Sequence, residues 1–311
     1  MKVKVVVLSF LITLFLSLNF VIPQLVQERL QAYMGDIQQS VIQYGLQLDF
    51  EDVRLSYIPL RIRVNGLKLS TSDGGMVFST NRIDFSNWSL AEVVNVSQGQ
   101  MNFAELTKLR VSVQKLEFDD IYLSNRLQKA MQELGYEKLV LNVVSDYDYD
   151  AETKNLYVNE FSVEGAQIGK ISFNVHLTEF RIPTSEEIKN LASLNQGSVK
   201  SFSVEYVEDS LVKKFKMLAA KNNVSLDRYI ALGKKIDSNR DPASTEDDVV
   251  TTSLQKFIND PKTMKLVVAP EKEIPFKDIS LMMMLSPNKL VESLQPSLEV
   301  NGSMVRLAPK E

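Results

Sequence analysis

The chain has 311 residues, 44% hydrophobic and 24% charged, which is enough apolar material for a sizeable core and excludes wholesale disorder. Thirty-five basic against thirty-nine acidic side chains leave a net charge of −4, too balanced for a general nucleic-acid binder. The absence of cysteine removes disulfides, thiolate metal sites and a cysteine nucleophile, and a single histidine, His176, removes multi-histidine metal centres.

Residues 5–27 carry no charge, and the 18 residues 5–22 are almost wholly apolar. At about 1.5 Å per residue such a run makes roughly 27 Å of helix, enough to cross a hydrocarbon core. Lys2 and Lys4 precede it and Glu28 follows, so the leading segment is the basic flank and is expected in the cytoplasm. A cleaved signal peptide is the alternative, but it wants small residues before its cleavage site, and only the poor Ser17/Asn19 pair is offered. The expectation is a single-pass anchor in the cell inner membrane, held through residues 5–22, with the remainder periplasmic.

Beyond Pro23, Val26, Leu30, Tyr33, Ile37 and Val41 recur at helical spacing, giving an amphipathic helix that ends near Gly45. Its polar face offers mainly Gln rather than Lys or Arg, so packing on the following domain is expected before a membrane-surface role. From Leu46 the pattern turns to period two, clearest where Leu60, Ile62 and Val64 alternate with Arg61, Arg63 and Asn65. A short helix is expected over residues 90–94, a strand around Leu109, Val111 and Val113, and a helix opened by Ser124 and closed by Gly135.

Three strands then form an antiparallel meander. Leu139, Leu141 and Val143 alternate with polar residues in the first, and Ile171, Phe173, Val175 and Leu177 do so in the third. Those seven residues are expected to line one continuous apolar sheet face. Helices are expected at residues 185–195 and through residues 209–258, where ten basic and ten acidic residues over 205–262 leave no basic docking face. Strands return at MKLVVAP and SLEVNGSMVRL, around a helix begun by Ser286-Pro287. The run Met282-Met283-Met284 is expected as a buried segment.

The organisation expected is an anchor (1–23), an amphipathic connecting helix (24–45), an antiparallel β-rich region (46–204), a helical insertion (205–262) and C-terminal strands with a helix completing the domain (263–311). The fold class expected is therefore α+β: an N-terminal transmembrane helix, then a curved, mostly antiparallel sheet with a helical insertion and flanking helices.

Catalytic, cofactor and metal sites are not expected. Asp146, Asp148 and Asp150 suggest a calcium loop, but its sixth and twelfth positions would be Ala151 and Tyr157 rather than Gly and Glu. His176 falls in the polar phase of its strand, where a solvated surface role is expected. No serine-elbow, phosphate-loop or dinucleotide motif is present.

Residues 135–180, GYEKLVLNVVSDYDYDAETKNLYVNEFSVEGAQIGKISFNVHLTEF, resemble a meander recurring in uncharacterised envelope proteins of proteobacteria, as do residues 257–279. More distantly, the N-terminal run followed by FEDVRLSYIPLRIRVNGLKLS is similar to the opening of AsmA-like proteins. That resemblance implies a membrane-anchored periplasmic β-rich protein of outer-membrane lipid homeostasis, and it transfers no catalytic motif. The expected function is a non-enzymatic envelope protein sheltering lipid or acyl chains, with lipid or another envelope protein as partner. The alternatives are an anchored scaffold or assembly factor and an enzyme of unrecognised type.

Overall fold

In a computed structural model, the structure describes residues 22–57, 59–89, 92, 107–181, 196–223 and 245–307. The chain folds as two compact units, Met1–Tyr122 and Leu123–Glu311. Thirteen strands lie within the described residues, and every pairing below is antiparallel.

The first unit opens with helix α1 (Ile22–Ile42), followed by β1 (Leu46–Asp49), β2 (Asp52–Tyr57), β3 (Leu60–Thr71), β4 (Met76–Ser86) and β5 (Lys108–Phe118). The β3 strand is long enough to take β1 and β2 one after the other on the same edge, with β4 on the other and β5 beyond it. Period-two alternation sorts this sheet into two faces. Val53, Val64, Ile83 and Val113 stand opposite one another on one face, as do Leu55, Ile62, Phe85 and Val111. Trp88 meets the Phe85 ring edge-on at 5.8 Å and is buried.

A crease crosses this sheet. Glu51 interrupts β1 and β2, Gly66 takes φ +59° in β3, and Lys115 takes φ +53° in β5. A Cβ at Gly66 would collide with the Glu51 side chain, so both its conformation and the close approach require glycine there.

The second unit holds α2 (Asn125–Glu133), β6 (Val140–Asp150), β7 (Asn155–Gly165), β8 (Gly169–Thr178), β9 (Ser198–Glu208), α3 (Leu211–Lys221), α4 (Thr245–Asn259), β10 (Thr263–Val268), β11 (Ile274–Pro275), α5 (Phe276–Leu285), α6 (Pro287–Leu294), β12 (Ser297–Val300) and β13 (Ser303–Arg306). Ser124 caps α2 by accepting the Leu127 N–H at 3.3 Å. The strand order runs β6-β7-β8-β9-β10-β12-β13, with the two-residue β11 on β9. Since β9 and β10 are neighbours, α3 and α4 belong to the connection between adjacent strands.

The fold class read from the sequence is corrected. Among the described residues no helix is long and apolar enough to cross a membrane. The first described helix, α1, carries Glu28, Arg29, Asp36 and five glutamines, a composition suited to covering a protein surface rather than facing hydrocarbon. Residues 5–21 of the expected span lie outside the described residues, as do the helix expected at 90–94 apart from Glu92, the helix expected at 185–195, and residues 224–244 of the helical stretch expected through 209–258. What the described chain forms is a predominantly antiparallel β protein with α-helices of 8 to 21 residues.

Two further differences arise at the C-terminus. The run SLEVNGSMVRL is a hairpin, β12 and β13, turning on Asn301 (φ +52°) and Gly302 (φ +79°), the pairing that a two-residue I′ turn favours. The Met282-Met283-Met284 run belongs to α5, and its tip is open rather than buried: Met284 is 82% exposed, with Leu281, Met283 and Leu285 exposed beside it.

Candidate functional site

The second unit's sheet builds one apolar face from four successive rungs. Val143, Val163, Ile171, Tyr206, Met264 and Val300 stand opposite one another across six strands. The next rung is Phe161, Phe173, Val204, Leu266, Leu298 and Val305. An extra residue in β7 between Val158 and Phe161 restores the phase for Tyr147, Val158, Val175, Phe202 and Val268. Tyr149, Leu156, Leu177, Val199 and Ile274 follow. Leu141 stands opposite Gly165 on this side, and Leu139 lies just ahead of β6.

The two ends of the face differ in cover. At the β9–β12 end, Phe257 of α4 is buried against Leu298 and Val300, with Tyr206, Met264 and Val212 of α3 packed around it. The Tyr206 ring meets Phe257 edge-on at 6.0 Å. Its hydroxyl lies 2.6 Å from the Ile168 carbonyl and 2.5 Å from the Glu208 carboxylate, and burial followed by Glu208 pushes its pKa far up. At the β6–β8 end the face opens: Phe161 is 40% and Ile171 37% exposed, while Val143, Val163, Phe173 and Val175 are half-buried. The Phe161 and Phe173 rings lie 6.0 Å apart, tilted by 49°. Phe215 of α3 is itself exposed.

The opposite face is polar. Asp146 stands opposite Glu160, Asp148 opposite Tyr157 and Asp150 opposite Asn155. Asp150 accepts the N–H groups of Glu152 (2.9 Å) and Thr153 (3.2 Å), and with the Thr153 hydrogen bonds foremost its pKa is lowered, a turn-forming role. Among the described residues no cluster of three or more His, Asp or Glu is placed to hold a metal ion. His176 is on this face but is not freely solvated: its ring stacks on Tyr157 at 4.2 Å, and its Nε2 is buried without a hydrogen-bond partner.

The first unit's polar face, which sequence reasoning passed over, carries a second constellation. Asp52, Asn65, Arg82 and Gln114 form one rung; Arg54, Arg63, Asp84 and Ser112 the next; Ser56, Arg61, Ser86 and Arg110 the third. Asp84 is buried and accepts Arg63 Nε at 2.7 Å, with Arg82 Nε 3.0 Å from its other oxygen. Asp52 pairs with Arg54 and accepts the Asn65 amide at 2.5 Å; that hydrogen bond, with Arg54, lowers its pKa. The signal in the sequence was Arg61 and Arg63 alternating with apolar residues.

A protein-family model described only as "Uncharacterized protein" matches residues 162–301, from the middle of β7 to the β12–β13 turn and short of half the chain. No curated protein matches this chain. The matched stretch holds the covered end of the apolar face together with β8.

Proposed function

We propose that the protein is a non-enzymatic envelope protein that shelters a lipid or acyl chain on the β6–β8 end of its apolar sheet face. The observation that carries this reading is the exposure of Phe161 and Ile171 at the β6–β8 end of a face built from aliphatic and aromatic side chains. Exposed apolar area of this kind is usually covered by a ligand or partner. An acyl chain burying about 200 Å² there would gain roughly 5 kcal/mol at 25 cal/mol per Å². The envelope location rests on the resemblance of residues 135–180 and 257–279. The reading assigns no catalytic residue and no cofactor.

Native mass spectrometry of the full chain, with extraction of its co-purifying lipid, tests this. The expected result is bound lipid in the parent and its loss in Phe161→Asp with an unchanged circular-dichroism spectrum. A lipid-free parent, or a folded Phe161→Asp chain that keeps its lipid, overturns it.

A scaffold role is the second reading, favoured by the open α5 tip at Leu281, Met283, Met284 and Leu285. Adaptable methionine side chains suit a protein-binding surface. Crosslinking in cells to a discrete protein, abolished by Met284→Asp with lipid binding intact, would favour this reading over the first.

A further inference from the structure

The polar face of the second unit's sheet carries Asp146, Glu160, Lys170, Glu205 and Lys265, yet two adjacent rungs of β7–β9 are neutral. Tyr157, His176 and Ser201 stand opposite one another on the first, and Asn174 and Ser203 on the second. Asn159 sits at the β7 irregularity between Val158 and Phe161, the kind of position at which a bulge re-aims a side chain. These six residues line one recess of about 380 Å³, and among the described residues no Asp, Glu, Lys or Arg lines it. The charges around it are paired with one another: Lys170 with Glu160 at 2.8 Å, Lys200 with Glu273 at 3.9 Å and Lys265 with Glu205 at 3.9 Å. Asp148 stands beyond Tyr157 on β6, outside the recess, and has an interaction of its own.

The polar groups of the recess are open. Hydroxyls elsewhere in this unit are bonded: Ser162 donates to Glu160 at 2.9 Å, Thr178 to Glu273 at 2.6 Å and Ser210 to the Gln167 carbonyl at 3.0 Å. Among the described residues no side-chain hydrogen bond occupies Ser201, Ser203 or the Asn159 amide. Asn174 donates through its amide nitrogen to the Asn159 carbonyl, which holds the side chain over β7 and leaves its amide oxygen to accept another bond. The Tyr157 ring stacks on His176 at 4.2 Å and is 37% exposed, a flat apolar wall beside the amides and hydroxyls.

A charged ligand would surrender its water here without a counter-charge in the wall. A wholly apolar one would cover the amides and hydroxyls and leave them unpaired. A neutral polyhydroxyl ring meets both demands. Its hydroxyls donate and accept in turn, as Ser and Asn do, and its C–H face lies on the aromatic wall. We infer that the recess of Tyr157, Asn159, Asn174, Ser201 and Ser203 binds a neutral saccharide. It lies on the sheet face opposite Phe161 and does not depend on the acyl-chain reading.

His176 is the chain's one histidine, so its imidazole Cε1–H proton signal reports on the recess through the stack on Tyr157. The full chain, purified in a sugar-free detergent, is titrated with maltotriose, cellotriose and triacetylchitotriose, and with trigalacturonate as the charged counterpart. At least one neutral trisaccharide should shift that signal saturably and bind at least about tenfold more tightly than trigalacturonate. Ser201→Ala/Ser203→Ala removes only unbonded hydroxyls and should weaken binding at least about fivefold with an unchanged melting temperature. Asn159→Ala, at an exposed position, should do the same, whereas Ser172→Ala on the next rung should change binding less than about twofold. No saturable shift with any of the three, binding of trigalacturonate as tight as theirs, a folded double variant that binds as the parent does, or an equal loss in Ser172→Ala overturns the site. The variants leave Phe161 untouched and the probes carry no acyl chain, so failure here is distinct from failure of the lipid-sheltering reading.

Discussion

The side-chain oxygen of Gln27 accepts the backbone N–H of Leu55 at 2.8 Å, while the amide nitrogen of the same side chain donates to the carbonyl of Val53. In a strand the N–H and C=O groups of residues two apart point to the same edge. One glutamine therefore stands in for a neighbouring strand along the outer edge of β2. Eleven residues later, three helical turns, Gln38 donates to the Leu48 carbonyl of β1 at 2.9 Å. Together with buried Val26 and Leu30, these amides make α1 a cover for a sheet edge that would otherwise offer itself for pairing with another chain.

Replacing Gln27 by Leu should keep the apolar packing and orphan both backbone groups. The expected cost is about 1–2 kcal/mol, read as a lower denaturation midpoint. Gln39→Ala, on the exposed side of the same helix, serves as the control. Equal stability of the two variants would show that the edge bonds contribute nothing.

Much of the architecture was legible because burial on one side of a sheet imposes period two. Leu141, Val143, Ile171, Phe173, Val175 and Leu177 share a side for that reason. What sequence could not supply was the destination of polar groups and the cover of apolar ones. The glutamines of α1 look like a solvated helix face, and only tertiary placement shows that two of them serve backbone edges. The methionines of α5 look like core, because hydrophobicity alone does not tell a buried segment from an open tip. Asn301-Gly302 did carry a local signal for the hairpin, since both residues tolerate positive φ. The arginine rungs needed cross-strand register, which joins residues from Ser56 to Arg110.

Two glycines with positive φ should respond differently to alanine. Gly302 (φ +79°) has open space where a Cβ would go, so Gly302→Ala costs only conformational strain, about 1 kcal/mol. At Gly169 (φ +110°) the same atom would strike the Val207 carbonyl and approach the Tyr206 ring at 3.1 Å. Gly169→Ala should cost more than roughly 3 kcal/mol or prevent folding. Matching melting curves for the two variants would contradict this geometry.

Asp84 is the counter-charge on which Arg63 and Arg82 converge. Asp84→Leu leaves two cations facing each other without it, and about 2–3 kcal/mol of stability should be lost, the arginines being partly exposed and partly screened. Because the new term is repulsion, raising sodium chloride from 0.05 to 0.5 M should narrow the gap between variant and parent, by an amount on the order of 1 kcal/mol. A gap that stays constant with salt would assign the loss to packing instead.

His176 is the chain's one histidine, so its titration can be followed without assignment. Burial, then the charge of Lys200, lowers its pKa from the ordinary 6.5, against a smaller upward pull from Glu273. In the unfolded chain the imidazole takes its proton near 6.5, while in the folded chain it does so only at lower pH. Its contribution to stability is therefore present above pH 6.5 and is lost as pH falls through the folded value. The imidazole Cε1–H signal should titrate with a midpoint below 6.5. Lys200→Gln should move that midpoint up and Glu273→Gln should move it down. His176→Gln should flatten the fall in melting temperature just below pH 6.5 while leaving the steeper carboxylate-driven fall at lower pH. A midpoint at or above 6.5 in the parent would mean that stacking on Tyr157 leaves the ring as well solvated as a free peptide.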